Sequence, residues 1–169
     1  MADNIWNAGQ RSAMTRAMIT QFAAHAADQG RFTEGWNYLP LMLIAAREFK
    51  QKLDEGEAAF DAAKARYGFG QFTFAEAQDL VASDEGQRSW ALVAYSFITG
   101  RDQRNYWRML GWDYSARADS QLSALFPLLV STPAATQFYA FDDICSVDNA
   151  IAVPVDGVST WPAVRPTVY

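Results

Sequence analysis

Five of the six prolines in this chain fall at or after position 127: Pro127, Pro133, Pro154, Pro162 and Pro166. Proline lacks a backbone N–H and clashes with the turn before it, so it is excluded from helix interiors. Pro40 is the one proline earlier in the chain, and a proline is tolerated in the first turn of a helix. Long helices are therefore allowed up to Pro127, and after Pro133 the helical periodicity is gone. This divides the chain into a helical body, residues 1–132, and an extended C-terminal arm, residues 133–169.

Within the body, apolar residues recur at helical spacing between recognisable starts and stops. A first helix is expected over about Ile5 to Asp28, with Met14, Met18, Phe22 and Ala26 as its apolar stripe and Gly30 as its stop. A long helix is expected from Pro40 or Leu41 to Tyr67. Leu41, Ile44, Phe49, Leu53 and Phe60 mark its buried side, and Glu48 and Lys52 form an i,i+4 pair on the other. Gly56 weakens its middle by about 1 kcal/mol relative to alanine.

Thr73-Phe74-Ala75-Glu76 has the capping-box pattern and opens a short helix to about Ala82. Another helix follows from Ser83 or Asp84 to Gly100. A further one spans Arg101 to Leu110, and the last runs from Asp113 to Leu125 with an Asp113–Arg117 pair. The expected fold is an all-α bundle of about five or six helices. In the arm, Asp156-Gly157 is a turn signal that could join flanking β-branched residues in a small hairpin. Trp161-Pro162 and Arg165-Pro166 favour β or polyproline backbone.

A chain of 169 residues suits one domain, and half of its residues are apolar, which is enough for a packed core. The formal charge is −5 and unevenly spread. Residues 118–169 hold Arg165 alone against Asp119, Asp142, Asp143, Asp148 and Asp156. An acidic chain without a basic cluster in its arm argues against general nucleic-acid or anionic-membrane binding. No basic start followed by an apolar core opens the sequence, so synthesis is expected in the cytoplasm, with incorporation into a virion or other large assembly as a later fate. The longest strongly apolar stretch, Leu39–Ala46, is too short to span a bilayer.

Ligands for metal or nucleophilic chemistry are scarce. His25 is the single histidine and Cys145 the single cysteine. Neither His-x-x-x-His nor Glu-x-x-His occurs, so zinc and di-iron schemes fail on ligand supply. Asp142, Asp143 and Asp148 would disfavour a Cys145 thiolate. Asp54, Glu55, Glu57 and Asp61 read as a solvated helix face rather than a pair of catalytic carboxylates. No catalytic residue, cofactor or metal is expected.

One constellation stands out: Arg101, Arg104 and Arg108, with Tyr106, Trp107 and Trp112 interleaved. At i, i+3 and i+7 the arginines would share one helix face and could receive carboxylates or phosphates. The chain's net negative charge favours an acidic protein segment over a single-stranded nucleic acid. The expected protein-binding set is therefore Arg101, Arg104 and Arg108 on the body with Asp142, Asp143, Asp148, Trp161 and Tyr169 on the arm. The leading reading is a non-catalytic structural or assembly subunit whose arm docks on a copy of itself or on another subunit. Bacteriophage virion components are often built this way, which is an analogy of architecture alone. An acidic inhibitor or immunity-type protein that binds a partner protein is the second reading. A small carboxylate-dependent enzyme is the third.

Overall fold

A computed structural model describes Ile19, Phe22, Ala23 and residues 35–109 and 111–127. These residues are all-α: six α-helices and two 3-10 turns, with no strand among them. Ile19, Phe22 and Ala23 fall inside the expected first helix and are helical. The rest of that helix, His25, Cys145, the 132/133 boundary and the arm with its hairpin lie outside the described residues.

Helix α1 (Tyr38–Glu55) follows a 3-10 turn over Gly35–Asn37. Pro40 sits in its first turn, where backbone N–H groups have no helical acceptor, so nothing is lost. Leu41, Ile44, Phe49 and Leu53 are buried as their spacing predicts. The chain then departs from a single long helix. Gly56 has φ 104° and ψ 177°, a region of backbone space that is essentially glycine's alone. It therefore breaks the helix rather than weakening it. Helix α2 (Glu57–Ala63) resumes beyond it, and a 3-10 turn over Lys64–Tyr67 ends at left-handed Gly68.

Helix α3 (Phe74–Ala82) opens on the predicted capping box. Thr73 Oγ1 accepts from the Glu76 N–H at 3.3 Å, and Glu76 Oε2 accepts from the Thr73 N–H at 2.8 Å. Helix α4 (Asp84–Thr99) is capped by Ser83 Oγ, which accepts from the Gly86 N–H at 3.0 Å, and it ends at Gly100. Gly86 also sets how closely α3 and α4 pack. A Cβ there would lie 2.2 Å from the Asp79 carbonyl oxygen, so only glycine permits this approach.

Helix α5 covers only Arg104–Met109, three residues later than its expected start, because the Asp102 carboxylate accepts from the Arg104 N–H at 3.0 Å. Helix α6 (Ala116–Leu125) also starts late, since Ser115 and not Asp113 caps it.

The core is aromatic, and α4 joins its two halves. Tyr95 stacks on Phe22 with ring centroids 4.4 Å apart, and Tyr38, Tyr106 and Trp107 surround them. Five residues earlier, Trp90 packs with Phe49 and Phe69, which in turn meet Phe60 and Phe72. Each fully buried ring of this kind is worth roughly 1.5–3 kcal/mol from removal of apolar surface.

Candidate docking surface

The three arginines do not form one helical row. Arg101 precedes α5, whose first residue is Arg104. The Arg104 side chain is only 12% exposed and turns inward. Its Nε donates to both Asp102 oxygens at 3.0 Å, and Nη2 donates to Oδ2 at 2.7 Å. Nη1 donates to Asp119 Oδ1 at 3.1 Å and to Ser123 Oγ at 2.8 Å. The Asp102 side chain has no exposed surface. Arg104 is thus engaged within the fold, tying α5 to α6, and the Asp102 hydrogen bonds hold its guanidinium above the usual arginine range.

Arg108 is different. Its side chain is 56% exposed and lies over the Tyr114 ring, 5.9 Å from the centroid. Its approach to Asp119 is loose, at 3.7 Å. Of the expected arm residues, Asp142, Asp143, Asp148, Trp161 and Tyr169 lie outside the described residues.

Two other expected pairings are replaced. Glu48 is buried, not on the solvent side, and accepts from the Tyr67 hydroxyl at 2.8 Å. Burial, with that hydrogen bond adding to it, raises the Tyr67 hydroxyl above the ordinary tyrosine range. Lys52 pairs with Glu55 instead. Arg117 reaches Glu76 Oε2 at 3.0 Å rather than Asp113, linking the start of α6 to the capping box of α3. The expected acidic face is solvated and locally paired: Asp54 with Lys50, Glu55 with Lys52, and Asp61 with Lys64.

A groove lies between α1, α3 and α4, and hydrophobic periodicity does not mark it. Ala46, Phe49 and Lys50 of α1, Leu80 and Val81 of α3, and Gln87 and Trp90 of α4 line a cavity of about 380 Å³. Leu43 is 57% exposed and Val81 39% exposed, the two large apolar side chains left in solvent among the described residues. Leu43, Ala46 and Lys50 stand at i, i+3 and i+7, so they share one face of α1. The Trp90 indole N–H is buried and has no acceptor among the described residues, a deficit of roughly 1–3 kcal/mol. The one signal in the sequence is Leu43. It lies outside the buried stripe of α1, yet it is as apolar as the stripe itself.

Among the described residues no group of His, Cys, Asp and Glu could hold a metal ion, and no helix is long and apolar enough to cross a membrane. No protein-family model matches this chain, and neither a curated protein nor a solved structure matches it.

Proposed function

We propose that this chain is a non-catalytic structural or assembly subunit that works by docking on neighbouring polypeptides, its C-terminal residues 133–169 providing the contact. The observation that carries the reading is the groove between α1, α3 and α4, with Leu43 and Val81 left in water beside it. A concave site walled mainly by apolar and aromatic side chains is the usual form of a binding site. The arm's composition supports it from the other side. Trp161, Val164, Val168 and Tyr169 are costly to leave in solvent, and aromatic residues are the usual anchors of interfaces.

The assembly state of the full chain tests this. In sedimentation velocity at micromolar concentration, the Trp161→Ala/Tyr169→Ala double variant is expected to dissociate at concentrations where the unaltered chain is associated. Equal sedimentation of both forms across the concentration range would contradict the reading.

A further inference from the structure

We infer that the groove between α1, α3 and α4 is the seat for residues 158–169 of a second copy of this chain. This rests on the assembly function proposed for the chain and names the receiving surface.

Three observations point there. First, the Arg101–Arg108 region is a poor receiver, because the Arg104 guanidinium, largely enclosed, is already bound to Asp102 and Asp119. Second, the groove has the shape and chemistry of an anchor site. It is a cavity of about 380 Å³ whose walls are mainly apolar, Ala46, Phe49, Leu80, Val81 and Trp90, with Lys50 and Gln87 as the polar members, within the size range of pockets that bind compact groups. Third, the chain contains a segment that matches it. Trp161, Val164 and Val168 supply large apolar groups over eight residues. The proline after Trp161 and the proline after Arg165 disfavour helix at both positions, which suits a segment laid along a groove.

Charge takes no part in the match: residues 158–169 carry Arg165 and no acidic side chain, and Lys50 on the groove wall is paired with Asp54. Reach is not limiting. The 30 residues from 128 to 157 span up to about 100 Å when extended.

The test uses the full chain with a photo-crosslinking amino acid in place of Trp161, mapped by mass spectrometry. Cross-links between two chains, to the peptides carrying Ala46–Lys50 or Leu80–Trp90, are expected. Cross-links confined to a single chain, or directed mainly to Arg101–Arg108, would overturn the inference. In parallel, Ala46→Arg and Val81→Asp block the groove from exposed positions and spare the core. Each is expected to raise the dissociation constant for self-association at least tenfold with unchanged helical circular dichroism. If Trp161→Ala/Tyr169→Ala weakens association while Ala46→Arg and Val81→Asp do not, the arm still assembles the protein but the groove is not its seat. If none of these variants matters, the assembly reading itself fails.

Discussion

Arg104 shows how a single side chain can change role with its surroundings. An exposed arginine near acidic segments would contribute about 0–1 kcal/mol to any ion pair. Here the guanidinium is largely enclosed and donates to Asp102, Asp119 and Ser123. Truncating one partner of such a pair strands the other charge, which costs about 3–5 kcal/mol. Arg104→Ala is therefore expected to lower unfolding stability by about that amount in urea titration. Arg108→Ala, at an exposed site, should change stability by less than about 1 kcal/mol. Comparable losses for the two would contradict the inward assignment of Arg104.

Glu76 adds a pH dependence at the same scale. The Thr73 backbone N–H, the Thr73 hydroxyl and Arg117 all favour its ionised form and hold its carboxyl below the ordinary glutamate range. A folded pKa below the unfolded one means stabilisation that is complete above the unfolded value. It is lost as pH falls through the folded value. Glu76→Gln should flatten the decline of melting temperature on acidification below about pH 4.5, and an unchanged slope would refute the coupling.

At the level of elements, the break at Gly56 is the main departure from what periodicity implies. The stripe of Leu41, Ile44, Phe49, Leu53 and Phe60 is buried throughout, so the hydrophobic pattern is legible across the break. What it cannot convey is the backbone twist between Glu55 and Glu57, since glycine is compatible both with a continuous helix and with φ 104°. A Cβ at Gly56 would meet nothing within 4 Å, so any penalty there is conformational. Gly56→Ala should cost about 1–3 kcal/mol by denaturant titration. Stabilisation would show that α1 and α2 fuse readily and that the break is not held by the fold.

Caps are the most legible features. Thr73 and Glu76 bond to each other locally, and Gly100 ends α4 by its own conformation. The starts of α5 and α6 differ from expectation because Asp102 and Ser115 act through contacts that spacing does not encode. The side chain of Ser115 caps α6, while its N–H donates to Ser89 Oγ at 2.8 Å, across to α4. The burial of Glu48 is legible in principle. It lies seven residues after Leu41 and next to Phe49, within the buried stripe, and its polar character masks its position. That of Arg104 is not, because its inward turn depends on where α6 brings Asp119.

For the whole molecule, the distribution of prolines and the helical periodicity are enough to reveal an all-α body. They do not reveal the groove, which exists only once α1, α3 and α4 are packed and Gly86 lets α3 and α4 close on each other. On the proposed docking, the apolar groove of the body and the aromatic residues of the C-terminal segment are two halves of one contact. The affinity has to come mainly from burying those rings, since exposed ion pairs add little. Salt should accordingly weaken association only slightly. The most direct test is the mass of the unaltered chain by light scattering across micromolar concentrations. Association to multiples of 18.8 kDa is expected, persisting in high salt and lost in Trp161→Ala/Tyr169→Ala. A constant mass of 18.8 kDa at every concentration would contradict docking between copies of this chain.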